Sequence, residues 1–173
     1  CTKAIIPVHM CGAPAHIDRI LEVAKRNGLK VLEDNAQGCG GSFKGKKLGT
    51  FGEMGIFSFD YNKTITTGEG GMILTDSREL YLRADWYHDH GHVHNPDIPR
   101  ALEDHFILGF NYRMNEIQGA LGLAQLSKLD TVIGEQRKNK AAIRAALAGV
   151  PGIGFREIPD PDGDTATFLA FNL

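Results

Sequence analysis

A single lysine sits where a strand breaks. Gly55-Ile-Phe-Ser-Phe59 is an apolar run of strand character, Asp60-Tyr-Asn62 is a short polar turn, and Lys63 follows it. Thr64-Ile-Thr-Thr-Gly-Glu-Gly70 then leads into a second apolar run, Gly71-Met-Ile-Leu-Thr75. Open α/β sheets present ligands at the carboxyl ends of their strands, and this lysine stands at such an end. Gly and hydroxyl residues around it let a phosphate approach closely. An amine so placed suits Schiff-base chemistry with a carbonyl group. A solvated loop lysine is the plainer alternative, and a second element decides between them.

That element is Val31-Leu-Glu-Asp34-Asn-Ala-Gln37, another short apolar strand with an acid and an amide leaving its carboxyl end. Pyridoxal phosphate (PLP) needs a carboxylate that keeps its ring nitrogen protonated, so that the ring can act as an electron sink. Asp34 meets that need if both strands lie in one sheet. An acid at a strand end also caps the following turn, so capping is the alternative role for Asp34.

The elements that must position these residues are legible as periodicities. Ala4 to Val8 reads as a buried strand. Ile17, Ile20, Leu21 and Ala24 after Pro14 form one helical stripe closed by Gly28. Lys30 to Leu32 is the next strand, and strand–helix–strand implies a parallel unit. A turn is expected at Lys44-Gly45, with strands over Ile56 to Phe59 and Met72 to Thr75. Ser77 is placed to cap a helix running to about His88. Residues 89 to 112 read as irregular. Helices follow at about 115 to 129 and 131 to 147, ended by Gly149 and Pro151.

Five blocks, in order, carry a family resemblance. They are Thr2-Lys-Ala-Ile-Ile-Pro-Val-His9, Glu33-Asp34-Asn35-Ala36-Gln37, Lys44-Gly-Lys-Lys-Leu-Gly49, Phe57-Ser-Phe59 with Lys63 and Thr67-Gly-Glu-Gly-Gly71, and Gly109-Phe-Asn-Tyr-Arg-Met114. Over almost its whole length the chain resembles the DegT/DnrJ/EryC1/StrS group of PLP-dependent sugar aminotransferases. The resemblance implies an α/β fold: the large domain of an aspartate-aminotransferase-like (fold type I) enzyme, a mostly parallel sheet flanked by helices. Residues 1–130 would be part of that PLP-binding domain, 131–149 a connecting helix and 150–173 the start of a smaller C-terminal domain. The missing initial Met and the apolar run at 166–171 make the chain read as a piece of a longer protein, incomplete at both ends.

By the same resemblance Lys63 binds the cofactor as a Schiff base and shuttles the proton. Asp34 pairs with the pyridine nitrogen, and Gln37 lies beside the ring near its phenolic oxygen. Ser58 and Asn111 hold the phosphate, Asn111 reaching across a homodimer into the neighbouring subunit's site. Arg113 lies near that interface or forms a structural ion pair. The family usually has a small residue where Asn35 stands, so local packing is expected to differ. The implied reaction moves an amino group from glutamate to a keto-sugar, in surface-polysaccharide or amino-sugar biosynthesis. Phe59-Asp-Tyr-Asn before Lys63 and Thr-Ile-Thr-Thr after it resemble the subgroup acting on eight-carbon acidic sugars, the 8-amino-3,8-dideoxy-manno-octulosonate transaminases, more than the nucleotide-sugar members. Two alternatives share the fold. One is a sugar 3-dehydratase, which carries His in place of the lysine, and the other is a non-catalytic or regulatory relative.

Other clusters are weaker. His88, Asp89, His90, His92 and His94 have imidazoles enough for zinc, but the family has a similar loop without a metal, and none is expected. Gly49, Gly52 and Gly55 have a dinucleotide-like spacing with no helix opening after them. Cys11 and Cys39 read as packing residues, and three scattered cysteines fit a reducing cytoplasm rather than a disulfide framework. A net charge of −2 excludes an electrostatic case for nucleic acid or anionic membranes. No apolar run approaches the ~20 residues of a membrane span.

Overall fold

Strand, helix and strand from Ala4 to Asp34 form the expected parallel unit in a computed structural model that describes residues 1–173. β1 (Ala4–Ile5) pairs parallel with β2 (Lys30–Asp34), and α1 (Ile17–Asn27) joins them. Gly28 ends α1 in the left-handed conformation, its N–H returned to the carbonyls of Ala24 and Lys25. β1 is shorter than the apolar run from Ala4 to Val8, because Pro7 has no N–H to give a ladder. Val8 rejoins β2 through one parallel bridge to Asp34.

β3 (Ser42–Phe43) and β4 (Lys46–Lys47) make a small hairpin. Its turn is Lys44-Gly45, both at positive φ, the geometry of a two-residue hairpin loop. β5 (Met54–Ser58) adds parallel to β2, and β6 (Gly71–Leu74) returns antiparallel to β5, so the sheet order is β1-β2-β5-β6. α2 (Arg78–His88) starts on Ser77, whose hydroxyl accepts from the Leu80 N–H. α3 (Glu116–Leu126) opens on a reciprocal capping box between Asn115 and Gln118. α4 (Leu129–Leu147) follows almost directly, and β7 (Gly154–Phe155) with β8 (Phe171–Asn172) closes the chain as a second short hairpin.

The core lies between α1 and the sheet. Ile17 and Ala24 of α1 meet Val31, Phe43 and Leu48, with Ile5, Leu21, Leu29 and Phe51 packed at the margin. The helical stripe read from sequence is therefore the buried face. Gly55 has a steric reason: a Cβ there would strike the Gly49 backbone, and one at Gly52 would strike Val31. The Gly49–Gly52 segment thus lies flat against the sheet. No helix is long and apolar enough to cross a membrane.

Candidate active site

Register places two of the expected residues side by side. In the β2–β5 ladder Asp34 pairs with Ile56, and paired residues of parallel strands share a face. Ser58 stands two residues beyond Ile56, so Asp34 and Ser58 point from one face at the carboxyl ends of adjacent parallel strands. Opposite Ser58 on β6 is Gly71, which puts no side chain beside the hydroxyl. Asp34 Oδ1 accepts from the Ala36 N–H at 3.1 Å, so the capping role is present too, through one oxygen. Ser58 Oγ accepts from the Asp60 N–H at 3.4 Å, which leaves its own O–H free to donate.

The loop leaving Ser58 carries Lys63. Phe59 closes its neck: the Phe59 N–H donates to Gly70 O, and Phe59 O accepts from the Thr67 N–H and the Thr66 hydroxyl. A turn inside the loop brings the Lys63 N–H onto Asp60 O at 3.1 Å. The side chain is half-buried. Its amine joins none of the ion pairs that engage Lys30, Lys44, Lys138 and Lys140. α3 braces the far side of the loop, with Gln118 Nε2 donating to Glu69 O at 2.8 Å.

Gln37 is held from β1's side of the sheet. Its Oε1 accepts from the Cys11 N–H at 2.7 Å, which fixes the amide's orientation and turns its NH₂ outward as a donor. Cys11 is itself in the left-handed region at φ 63°. Asn111 is not joined to these four residues. It lies on a segment bridged antiparallel to Asp89 at the end of α2, is exposed, and accepts from Arg113 Nε at 3.0 Å. Asn35 is fully buried and donates to Leu48 O at 3.3 Å.

Two networks escaped the sequence reading. Glu33, next to Asp34 but on the opposite face, has no exposed surface and accepts four hydrogen bonds. Its partners are His9 Nε2 (3.0 Å) and the N–H groups of Gly49 (2.9 Å), Phe51 (2.5 Å) and Gly52 (2.9 Å). The Ala15 N–H donates to His9 Nδ1, so the proton of this ring is on Nε2 and faces Glu33. Burial pushes the Glu33 carboxyl up, but His9 and the three backbone donors outweigh it and hold it below its usual range. The one signal in the sequence is a charge inside an apolar strand, two residues from Val31 on the same face.

The second network resolves the histidine cluster. Asp89, almost wholly buried, is reached by Arg100 (2.5 Å), His94 Nε2 (2.9 Å), His90 Nδ1 (3.2 Å) and Arg113 Nε (3.4 Å). His94 Nδ1 meets Asp85 at 2.9 Å, and His92 meets Glu103 at 2.9 Å. The imidazoles are thus paired with carboxylates, and no group of three such side chains is arranged to hold a metal ion. Of the two roles open to Arg113, an ion pair with Asp89 is present.

Known proteins place this architecture. Escherichia coli O157:H7 GDP-perosamine synthase is 45% identical over 137 residues, 79% of this chain and 36% of that protein. L-glutamine:2-deoxy-scyllo-inosose aminotransferase of Streptomyces kanamyceticus is 35% identical over 170 residues, 95% of this chain and 39% of that one. A solved GDP-4-keto-6-deoxymannose-3-dehydratase with a trapped PLP-glutamate geminal diamine superposes with TM-score 0.88 at 32% identity, covering 98% of this chain and 47% of that one. The chain therefore spans less than half the length of the proteins it matches. The sequence pattern of the DegT/DnrJ/EryC1/StrS aminotransferase family matches residues 1–172, and the chain belongs to that family.

Proposed function

We propose that this chain carries the cofactor lysine and ring-binding half of a PLP-dependent sugar aminotransferase. The observation that supports it most is the shared face of Asp34 and Ser58, with the Lys63 loop leaving Ser58 directly. The donor set fits PLP: a carboxylate for the ring nitrogen, an amine for the aldehyde, a free hydroxyl for the phosphate. When bound, PLP supplies an electron sink for the carbon that loses its proton. Asp34 would keep the ring nitrogen protonated with the oxygen not used on Ala36. Gln37, its Oε1 fixed by Cys11, would donate from its NH₂ to the ring's phenolic oxygen. Lys63 would hold the cofactor covalently and, once released by substrate, carry the proton between the two reacting carbons.

Asn111 would act on the phosphate of a neighbouring subunit, making the intact protein a homodimer with shared sites. Glutamate would be the amino donor and a keto-sugar the acceptor. The acceptor is nucleotide-linked or, by the residues around Lys63, an eight-carbon acidic sugar of surface-polysaccharide or amino-sugar biosynthesis. We assign residues 1–130 to the cofactor domain, 131–149 to a connecting helix and 150–173 to the start of a smaller domain. A cytoplasmic setting agrees with three free thiols.

The test uses the full-length gene product. Incubation with PLP, borohydride reduction and digestion should place a pyridoxyl group on Lys63, and Lys63→Ala should lose it. An adduct scattered over surface lysines would sink the proposal. A dehydratase of the same fold is the second reading, since the superposed structure is one. Lys63 speaks for transamination, and the sugar product separates them: an amino-sugar, or a deoxy-sugar that has gained no nitrogen.

A further inference from the structure

Three threonines join the lysine loop to the far end of the chain. Thr64, the residue after Lys63, is buried, and its Oγ1 lies 3.2 Å from Thr167 Oγ1, a contact spanning 103 residues of sequence. Thr167 Oγ1 lies 2.8 Å from Thr165 Oγ1. Thr165, with no exposed surface, ends the row at Gly12 O, which accepts from its N–H at 3.1 Å and from its hydroxyl at 3.4 Å. A carbonyl only accepts, so the row has a direction: Thr64 donates to Thr167, Thr167 to Thr165, and Thr165 to Gly12.

Both ends of the row touch the site. Thr64 follows Lys63, and Gly12 follows Cys11, whose N–H holds Gln37. Cys11 and Ala166, beside the Gly12–Thr165 contact, are both non-glycine residues in the left-handed region, at φ 63° and 61°. Such backbone persists only where its surroundings dictate it. For Ala166 those surroundings are Asp164, whose Oδ1 accepts from the Ala166 N–H at 2.9 Å. Asp164 is in turn fixed to α4: Lys140 Nζ pairs with its Oδ2 at 2.5 Å, and Arg137 Nε donates to its carbonyl at 2.7 Å. One strut therefore runs from α4 through Asp164 and the threonines to both Lys63 and Gln37.

We propose that Thr167 is a positioning residue that sets the Lys63 loop against the Gln37 side of the site, so that α4 and the segment after it report on the cofactor lysine. The proposal rests on Lys63 being that lysine.

The test uses the full-length gene product, first without PLP. Thr167→Val and Thr64→Val keep the shape of each side chain and remove its hydroxyl, and Thr167→Ser restores it. Amide hydrogen exchange over residues 63–67 should rise about threefold to tenfold in either Val variant, the loss of the one hydrogen bond that ties this loop to Thr167. The double variant should rise no further than Thr167→Val alone, because that substitution already removes the contact Thr64 makes. Thr167→Ser should match wild type. With PLP loaded, the pH midpoint of the visible cofactor band should move in both Val variants and not in Thr167→Ser. Unchanged exchange in the Val variants, or effects that add in the double variant, would overturn the proposal. If Thr167→Val does not fold, Thr64→Val carries the comparison. Failure of wild type to form the Lys63 adduct would defeat the cofactor reading instead, while the exchange experiment still decides the strut.

Discussion

Glu33 and Asp34 are neighbouring acids with opposite tasks, and the pleat of β2 separates them. Asp34 faces the side shared with Ser58, while Glu33 faces the core and is filled by four donors. A buried carboxylate stabilises a fold only when its lone pairs are met, and here they hold the Gly49–Gly52 segment onto the sheet. Glu33→Gln keeps the shape but turns an NH₂ toward backbone N–H donors. It should cost roughly 2–4 kcal/mol in urea unfolding of the full-length protein. The pH dependence follows from the lowered carboxyl. Its contribution is complete above the ordinary value of 4.5 and is lost as pH falls below that. Glu33→Gln should therefore flatten acid unfolding in that range, and an unchanged acid profile would refute the role. Sequence marked Glu33 as part of a motif without its task, because its partners are 16 to 24 residues away.

At the level of elements, local signals were read well and long-range contacts were not. The α1 stripe with its Gly28 stop, the Ser77 cap and the Lys44-Gly45 turn depend on residues within one turn of each other, and all formed. β1 stops at Ile5 because its extension needs pairing with β2, and α3, which starts beside the expected 115, ends at Leu126 rather than about 129. The histidine-rich stretch after α2 shows the same limit: its spacing names no partners, and the carboxylates and arginine that supply them make it an ion-pair network. His94 is its titratable element, held between Asp85 of α2 and Asp89, with the His88 ring edge-on to it and Arg100, His90 and Arg113 sharing Asp89. Glu103, paired to His92, adds a further negative charge from the following segment. Hydrogen bonding to Asp89 raises the His94 value, against burial, and Asp85 adds to it. A raised histidine stabilises fully below its unfolded value of 6.5 and loses that contribution as pH climbs through the folded value above it. Asp89 stays ionised throughout: burial pushes its carboxyl up, but Arg100, His94 and His90 hold it far below the usual range. Limited proteolysis between His90 and Leu108 should accelerate as pH rises past 6.5, and His94→Gln should remove that dependence. Cleavage that ignores pH in the wild type would contradict the network's role.

At the scale of the whole molecule, the sheet is left open on the face that carries Asp34, and at its β6 edge on both faces. Ile56 and Ile73, which line the Asp34 face, are 40% and 48% exposed, and Met72 on the other side of β6 is 49% exposed. α3 likewise shows Ile117 and Leu123 to solvent at 81% and 72%. Parallel sheets of this kind are covered on both faces, and an apolar surface this extensive marks contact with further protein. The matched relatives are more than twice as long as the stretch they share with this chain. On the proposed function Asp34, Ser58 and Lys63 would form one wall of the cofactor site, and Asn111, exposed and tied to Arg113 rather than to them, has its proposed task on another subunit. A ring bound on one wall keeps most of its surface in water, and its phosphate meets few of the donors that desolvation would make strong. Residues 1–173 produced alone should accordingly bind PLP at least ~100-fold more weakly than the full-length product and turn over no keto-sugar, a loss of about 2.7 kcal/mol in binding. Titration of the cofactor band against both proteins measures it. Equal affinity would mean that residues 1–173 already hold the determinants of cofactor binding.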